Sequence, residues 1–432
     1  MREIVSSNAK WIGDVPSSWN ILQPRRLFTL RRELEHKDDI QLTPSQKYGV
    51  LPQTEYMEVT GSRVVLNLTG NTMQHVEPGD FISHLRTFQG GLELARQAGK
   101  VSPAYTVVTP RPGVNPEFFK YVLKSDGYIS QIASVTDQLR DGQSMRFPEF
   151  NQTWLPLPPT LEQQQIADYL DHETAEIDAL IKQLAEVKTL ISDRRRTIID
   201  SSFAHAARPE VALKYLGVLH SGLTLGKRYE VATQKYPYLR VANVQAGHVD
   251  LSEVAEIDVP PAVASENRLE LNDVLLTEGG DRDKLGRGAL WKGQIDPVLH
   301  QNHVFAFRCN SKLLPEYLVY ALESTSARIY FDQTARQSTN LASTNSTVVK
   351  NFKFPAPPTV DQHSIVERLD HEMSEMQEML ANSNRVIDLA RERRAALITA
   401  AVTGQIDVTA KNKPAAEQLE DDIAQGLHRE HA

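Results

Sequence analysis

The sequence contains a single cysteine, Cys309, among 432 residues. One thiol excludes an internal disulfide and a zinc site built from several cysteines, and it is typical of proteins kept in the reducing cytoplasm. No apolar run reaches the roughly 18 residues of a membrane span, and the opening segment MREIVSSNAKWIGD has no apolar signal core. We therefore expect a cytoplasmic protein without a membrane-spanning helix.

Positive charge is also scarce, since the formal net charge is −8. The acidic excess falls in residues 161–207 and in the part of the chain after 353, whereas 1–153 and 208–352 are nearly balanced. DNA binding therefore remains open for the balanced regions, provided that their basic residues cluster on one face. Hydrophobic residues make up 41% of the chain, as in folded proteins, and its length predicts roughly two to four domains.

A long internal repeat is the main feature of the sequence. The segment PLPPTLEQ at 156–163 recurs 199 residues later as PAPPTVDQ, and the match continues through the LDHE segments at 170–173 and 369–372. The same spacing relates Tyr121 to Tyr320. A duplication explains this pattern most simply, with a globular region followed by one long helix in each half.

Each predicted helix has a recognisable start. The T-x-x-Q segments Thr160–Gln163 and Thr359–Gln362 match capping boxes, in which the hydroxyl and the amide satisfy free backbone N–H groups. No proline interrupts 161–207 or 360–410. We therefore expect two helices of about 43 residues, each about 65 Å long.

Apolar residues recur in both helices at alternating spacings of four and three, the period of a coiled coil. The predicted seam comprises Ile166, Leu170, Glu173, Ile177, Leu180, Leu184, Val187, Ile191, Arg194 and Ile198 in the first helix and Ile365, Leu369, Glu372, Met376, Met379, Ser383, Val386, Ala390, Arg393 and Leu397 in the second. An ordinary amphipathic core helix is the alternative, but the unbroken length favours a coiled coil.

Charged residues interrupt each predicted seam, and an unpaired buried charge is costly. An antiparallel pair of helices would place Glu173 opposite Arg393 and Arg194 opposite Glu372, whereas a parallel pair would place glutamate against glutamate. We therefore predict an antiparallel coiled coil with these two ion pairs and with the globular regions related by a pseudo-twofold axis.

The segments LPLPPTLEQQQIADYLD (155–171), FPAPPTVDQHSIVERLD (354–370) and AAVTGQIDV (400–408) resemble the specificity subunit of type I restriction-modification systems. The resemblance implies two target recognition domains, each of which reads one half of a bipartite site in double-stranded DNA. It implies that the helices set the spacing and dock two methyltransferase subunits, with restriction–translocase subunits as further partners. It also implies a non-catalytic chain without its own cofactor, because S-adenosylmethionine, Mg²⁺ and ATP would bind the partner subunits.

The expected fold is therefore α+β, with two globular domains separated by two long helices and an internal pseudo-twofold duplication. The expected boundaries are 1–153 for target recognition domain 1, 154–207 for the first spacer helix, 208–352 for target recognition domain 2, 353–408 for the second spacer helix and 409–432 for a polar tail.

Candidate DNA-contacting residues lie in polar and glycine-rich loops. They are Arg86, Phe88, Gln89, Gly90, Arg140 and Gln143 in the first domain and Arg240, Asn243, Gly280, Arg282, Lys284, Arg287, Gln301 and Asn302 in the second. Arginine, glutamine and asparagine can make paired hydrogen bonds to bases, and glycine lets the backbone approach phosphates. Solvated side chains of ordinary loops are the alternative for each of them. His300 and His303 lack a third ligand at suitable spacing, so we expect no metal site.

Two other functions are alternatives to DNA recognition. A structural adaptor would use the same coiled coil with two protein-binding domains and no DNA role. An enzyme is less consistent with the sequence: the methyltransferase-like segment Asn115–Phe118 loses its asparagine in the second copy, and Gly222–Lys227 is one residue short of a phosphate-binding loop.

Overall fold

The computed structural model describes residues 3–7, 9–62, 73–84, 90–135, 145–204, 209–280, 285–337 and 342–408. The chain divides into two compact units, and both contain parts of the two long helices. Unit 1 comprises Met1–Gln183 and Val386–Ala432, and unit 2 comprises Leu184–Arg385. Within the described ranges, no helix has the length and apolar character needed to cross a membrane.

Unit 1 has short strands and helices around a four-stranded antiparallel sheet of order β4-β11-β8-β9. Its strands are β1 (Ile4–Ser6), β2 (Asp14–Pro16), β3 (Asn20–Leu22), β4 (Phe28–Leu30), β5 (Leu42–Ser45), β6 (Gly49–Pro52), β7 (Gln74–Val76), β8 (Phe81–Ser83), β9 (Leu92–Leu94), β10 (Gly99–Val101), β11 (Val107–Pro110) and β12 (Leu155–Leu157). Its short helices are α1 (Pro24–Leu27), α2 (Gln53–Thr60), α3 (Pro116–Val122), α4 (Asp126–Val135) and α5 (Phe147–Phe150).

The long helices follow each globular part: α6 is Thr160–Phe203 and α11 is Thr359–Val402, with 44 residues each. Both lie inside the ranges that the sequence predicts for the spacer helices. The core of unit 1 joins Phe28, Phe81 and Phe119 of the globular part to Leu170 and Leu397 of the two helices. The globular part and the helices therefore share one hydrophobic core in this unit.

Unit 2 has a second four-stranded antiparallel sheet, of order β14-β21-β17-β19, and a three-stranded sheet of order β16-β15-β20. Its strands are β13 (Glu210–Ala212), β14 (Gly217–Ser221), β15 (Gln234–Leu239), β16 (Ala255–Val259), β17 (Val274–Thr277), β18 (Gly279–Gly280), β19 (Gly288–Leu290), β20 (Leu299–His300), β21 (Val304–Cys309), β22 (Arg336–Gln337), β23 (Ala342–Ser343) and β24 (Lys353–Pro355). Its short helices are α7 (Pro261–Glu266), α8 (Pro315–Glu323), α9 (Thr325–Thr334) and α10 (Ser346–Asn351).

The two globular parts share a buried turn that their sequences barely show. Asp80 precedes β8 and follows Gly79, which is in the left-handed conformation (φ 95°), and Asp273 precedes β17 and follows Asn272, which also has a positive φ of 71°. Arg31 binds Asp80 through Nε at 2.6 Å, and Arg308 binds Asp273 through Nε at 2.9 Å. Both carboxylates are fully buried, so each arginine supplies the charge that burial requires. The two arginines belong to strands that do not correspond, because Arg31 follows β4 and Arg308 lies in β21. The likeness of the globular parts is therefore the shared sheet order, β4-β11-β8-β9 and β14-β21-β17-β19.

The long helices run antiparallel, as predicted. In unit 2, Lys188 of α6 donates a hydrogen bond to Asn384 of α11, and Arg368 of α11 donates to Ser202 of α6 at 3.0 Å. Residue numbers therefore rise along one helix as they fall along the other.

The phase of the predicted seam is wrong by one residue at alternate positions. On α11 the buried residues include Leu369, Met373, Met376, Ile387, Ala390 and Leu397, and on α6 they include Ile166, Leu170, Thr174 and Ile177. Val386, a predicted seam residue, is 42% exposed, whereas its neighbour Ile387 is 6% exposed. Leu184 and Ile191 are half-buried.

The two predicted ion pairs are also wrong, for the same reason. Arg194 and Arg393 are exposed, and among the described residues neither of them bonds to Glu372 or Glu173. Their neighbours occupy the inward positions instead: Arg394 bonds to Asp178 through Nε at 2.9 Å, and Arg195 bonds to Glu323 through Nε at 3.2 Å.

Candidate functional site

A buried glutamine ties the start of α6 to the globular part of unit 1. The Gln163 Nε2 donates to the carbonyl oxygens of Gly113 at 3.1 Å and Pro158 at 2.9 Å, and Gln163 Oε1 accepts from the backbone N–H of Asn115 at 2.8 Å. Three backbone groups before α3 and α6 are thereby satisfied by one side chain.

The second long helix has the same attachment. The Gln362 Nε2 donates to the carbonyl oxygens of Lys312 at 2.9 Å and Pro357 at 2.7 Å, and Gln362 Oε1 accepts from the N–H of Leu314 at 2.8 Å. Every contact lies 199 residues after its counterpart. The prediction that these amides close capping boxes on their own helices is therefore wrong, because each oxygen accepts from the globular part instead.

A tyrosine–aspartate hydrogen bond repeats at the same spacing. The Tyr121 hydroxyl of α3 donates to Asp171 of α6 at 2.5 Å, and the Tyr320 hydroxyl of α8 donates to Asp370 of α11 at 2.6 Å. Burial and the neighbouring carboxylate raise the pKa of both tyrosines, so both hydroxyls keep the proton that they donate. We call the glutamine and tyrosine contacts of each unit its helix clamp.

Half of the sequence-predicted DNA contacts lie outside the described residues. They are Arg86, Phe88, Gln89, Arg140, Gln143, Arg282 and Lys284. The seven others can be placed in the structure.

Three of those candidates come together in unit 2. Strands β15 and β20 pair in parallel, and the chain beyond them brings Arg240 beside Gln301, whose N–H donates to Leu239 at 2.9 Å. Asn302 follows in the same loop and is half-buried. The Arg240 Nη2 bonds to Glu253 at 3.1 Å, and its Nε is buried without a partner among the described residues. Arg240, Gln301 and Asn302 therefore form a small polar surface, which we call the 240/301 surface.

Asn243 does not belong to that surface. Its side chain is 3% exposed, its oxygen accepts from the N–H of Arg240 at 2.8 Å, and its nitrogen donates to the carbonyls of Asp250 and Glu253, each at 2.9 Å. A buried amide whose groups are all used cannot also bind a base. The interpretation of Asn243 as a DNA contact is therefore corrected: it holds the loop in shape.

The remaining candidates are scattered. Gly280 lies in β18 and pairs with Ala342 of β23. Arg287 is half-buried directly before β19, and Gly90 is buried in unit 1 against the side chain of Gln46. The structure brings none of these three into the 240/301 surface by a described contact.

A cleft of about 810 Å³ in unit 1 is rich in cations, although sequence reasoning did not select it. Lys47, Arg96, Lys120, Lys124 and Arg394 line it. Four of these five cations already bond to carboxylates: Arg96 and Lys120 to Glu117, Lys124 to Glu93, and Arg394 to Asp178. This cleft is therefore an ion-pair network rather than an open basic surface.

Sequence comparisons find relatives among restriction-enzyme subunits. The chain is 24% identical over 185 residues to the putative type I restriction enzyme MjaX specificity subunit of Methanocaldococcus jannaschii, covering 42% of each chain. It is 22% identical over 280 residues to the EcoKI specificity subunit of Escherichia coli K12, covering 61% of this chain and 60% of the relative. The match therefore spans about half the length of these curated relatives. No protein-family model matches the chain.

A solved structure described as the basis of complex assembly and conformational transition of the type I R-M system has the same fold. It aligns with 91% of this chain and 99% of its own, with a TM-score of 0.70 and 14% sequence identity. The chain is similar to the specificity subunits of type I restriction enzymes. The resemblance predicted from the repeated segments at 155–171 and 354–370 is thereby confirmed.

Each long helix also carries exposed apolar residues outside the buried seam. On α6 they are Leu180, Val187 and Leu190, and on α11 they are Met379, Val386 and Leu389, each of which lies 199 residues after its α6 counterpart. We call these sets the outer stripes. Large apolar side chains exposed at a repeated helical spacing are typical of a surface that another protein covers.

Proposed function

We propose that this chain recognises a bipartite DNA sequence for a type I restriction-modification complex, as its resemblance to specificity subunits suggests. One observation supports this proposal most strongly: two globular parts of different sequence are attached to two matching helices by the same helix clamp. An attachment that is identical at both copies fixes each recognition domain on its helix, while the rest of each domain is free to differ.

Two domains that contact one DNA duplex must be held at a constant separation and at a constant rotation about the duplex axis. About 10 base pairs, or roughly 34 Å, make one turn of DNA, so an error in spacing is also an error in angle. A continuous helix of 44 residues holds such geometry far better than a flexible linker. We therefore assign the spacer role to α6 and α11.

The outer stripes support the docking of two methyltransferase subunits. Since Leu180, Val187 and Leu190 recur as Met379, Val386 and Leu389, two copies of one partner could bind equivalent surfaces. S-adenosylmethionine, Mg²⁺ and ATP would bind the partner subunits and not this chain. Restriction–translocase subunits are further proposed partners. We assign no reaction to this chain.

For base recognition in the second domain, we propose the 240/301 surface. Arginine and the side-chain amides of Gln301 and Asn302 can make paired hydrogen bonds to guanine and adenine. Gly90, Gly280 and Arg287 remain candidates, and so do the seven residues outside the described ranges. Because the net charge is −8 and the cations of the unit 1 cleft are paired, we expect the isolated chain to bind DNA weakly.

A domain replacement tests the proposal. Residues 1–153 are exchanged for those of another type I specificity subunit, the hybrid is produced with its methyltransferase, and the host genome is sequenced for methylated sites. We expect one half of the methylated sequence to change and the other half to persist. The reciprocal exchange of 208–352 is the control and should change only the other half. Hybrids that assemble and methylate an unchanged sequence would refute DNA reading by these domains.

A further inference from the structure

Unit 1 contains a histidine–carboxylate cluster outside the surfaces described above. Glu33, His36 and His75 each offer one ligand atom, and these three atoms lie within 4.8 Å of one another. The His36 and His75 rings stack with their centroids 3.9 Å apart, and His36 Nε2 lies 2.9 Å from Glu33 Oε1. Two stacked imidazoles repel each other if both are protonated. Because an imidazole binds a metal ion in the plane of its ring, shared binding requires the exposed His36 ring to turn out of this stack.

The backbone fixes the three residues independently of their side chains. The N–H of His75 in β7 donates to the carbonyl of Glu33 at 3.0 Å, and the N–H of Glu35 donates to Met73 at 3.0 Å. His36 lies in the turn that follows, where the N–H of Asp39 donates to its carbonyl at 3.2 Å. The ligand atoms therefore belong to a paired, ordered part of the fold.

A second layer of charged groups orients the cluster. Asp39 Oδ2 accepts from the N–H of His36 at 2.7 Å and lies 2.8 Å from His75 Nδ1. Arg31 Nη1 binds Glu33 Oε2 at 2.7 Å, which leaves Glu33 Oε1 directed at His36. A carboxylate that holds the second nitrogen of a histidine is the usual support of a metal-binding imidazole.

We propose that Glu33, His36 and His75 bind one divalent transition-metal ion of the zinc class. Asp39 holds His75 Nδ1, so His75 Nε2 is the ligand atom. Glu77, whose Oε1 lies 2.9 Å from His75 Nε2, is outside that group of three, so water would supply the fourth ligand. Tetrahedral zinc with bonds of about 2.1 Å separates its ligand atoms by about 3.4 Å. The observed spacing therefore needs shifts of little more than an ångström.

The ligand types decide which ion the cluster takes. Two imidazoles with carboxylates select zinc, cobalt or nickel over magnesium and calcium, which prefer oxygen-only sites. His75 is 2% exposed, so the ion would be shielded on that side, whereas His36 and Glu33 open to solvent and provide the entry. Bound metal would fasten the segment after β4 to strand β7, a structural role that is separate from DNA recognition.

Metal titration of the full chain tests the proposal. The protein is stripped with EDTA, exchanged into chelator-free buffer and titrated with Zn²⁺ against a chromophoric chelator, and with Co²⁺ by visible absorption. We expect one equivalent of Zn²⁺ and the absorption bands of tetrahedral Co²⁺. His36→Gln and Glu33→Gln, at partly exposed positions where the fold should survive, should each weaken Zn²⁺ binding by at least about tenfold.

His172→Gln is the matched control, because His172 is an exposed histidine that lies 3.5 Å from Glu176 on α6. It should leave both titrations unchanged. Absence of Zn²⁺ uptake by the intact chain would show that the cluster is only a hydrogen-bond network. Uptake that survives both His36→Gln and Glu33→Gln would place the metal elsewhere. Either result overturns the proposal.

Discussion

Gln163 and Gln362 show how one buried side chain can fix the join between a domain and a helix. Each satisfies two carbonyls and one N–H that no regular secondary structure reaches. Leaving such groups unpaired in the interior costs more than the hydrogen bonds themselves contribute, because their desolvation is no longer compensated. The clamp therefore stabilises the point where each globular part meets its helix.

Gln163→Ala should lower the free energy of unfolding of unit 1 by about 2 kcal/mol, because three backbone groups lose their partner, one of which, the Pro158 carbonyl, is buried. Chemical denaturation followed by circular dichroism measures the change. Gln165→Ala is the control, since Gln165 is exposed on the same turn of α6 and should shift the midpoint little. Equal effects of the two substitutions would contradict the proposal that the Gln163 contacts stabilise unit 1.

His300 makes stability depend on pH. Burial lowers its pKa, against the opposing hydrogen bond of Nδ1 to the Val304 carbonyl at 2.6 Å, so the folded protein keeps this ring neutral. The unfolded chain takes up a proton below about pH 6.5 and then binds more protons than the folded chain. Stability should therefore fall as the pH drops from neutral through that value.

Denaturation midpoints of the full chain measured across that pH range test this expectation. His300→Gln should reduce the loss of stability on acidification, whatever its effect at neutral pH. His248→Gln, at an exposed position, should retain the full loss. A pH dependence that is the same for all three proteins would exclude His300 as its source.

At the scale of the elements, the coiled coil shows what periodicity can and cannot decide. The length of both helices follows from proline placement and the unbroken apolar repeat. Their antiparallel direction was predicted correctly, although the ion pairs used to predict it do not form. The sequence does not decide which residues of each helix face the partner helix. In pairs of apolar neighbours such as Leu180-Ile181 and Val386-Ile387, either residue fits the coiled-coil spacing. Only the packing against a partner helix selects one of them, and here it selects Ile387.

Met376 and Met379 allow this phase to be tested with one residue type. Met376 is 7% exposed in the seam and Met379 is 55% exposed on the outer stripe. Met376→Asp should cost about 3 kcal/mol in the free energy of unfolding, since it removes apolar contacts and buries a charge. Met379→Asp should change the stability of the isolated chain by less than about 0.5 kcal/mol. Chemical denaturation measures both changes. A loss of stability for Met379→Asp as large as that for Met376→Asp would instead support the seam predicted from the sequence, in which Met379 is buried.

The polar surfaces were less predictable than the helices. Tyr121 and Asp171 could have been paired from sequence, because their counterparts Tyr320 and Asp370 recur at the same spacing. Asn243 could not be assigned, since a loop asparagine that holds the backbone looks like one that reads a base. His36 and His75 are far apart in sequence and meet only through the pairing of β7 with the segment after β4.

At the scale of the whole molecule, the duplicated chain has surfaces that recur in both copies and surfaces that differ between them. The clamps and outer stripes recur at a spacing of 199 residues, whereas the loops of the globular parts do not. Surfaces that stay alike suit two copies of one partner, and surfaces that diverge suit two different DNA half-sites. A change in one outer stripe should therefore affect one partner copy and leave sequence recognition intact.

Leu190→Glu and Leu389→Glu test this expectation. Each places a charge where we propose an apolar contact, at a cost of about 2 kcal/mol or about 30-fold in affinity. Mixed with the methyltransferase subunit, each single variant should retain one tightly bound copy instead of two, and the double variant should retain none, as native mass spectrometry would show. Leu161→Glu, an equally exposed leucine of α6 outside the stripe, should retain both copies. Two tightly bound copies on the double variant would exclude the outer stripes as the docking surface.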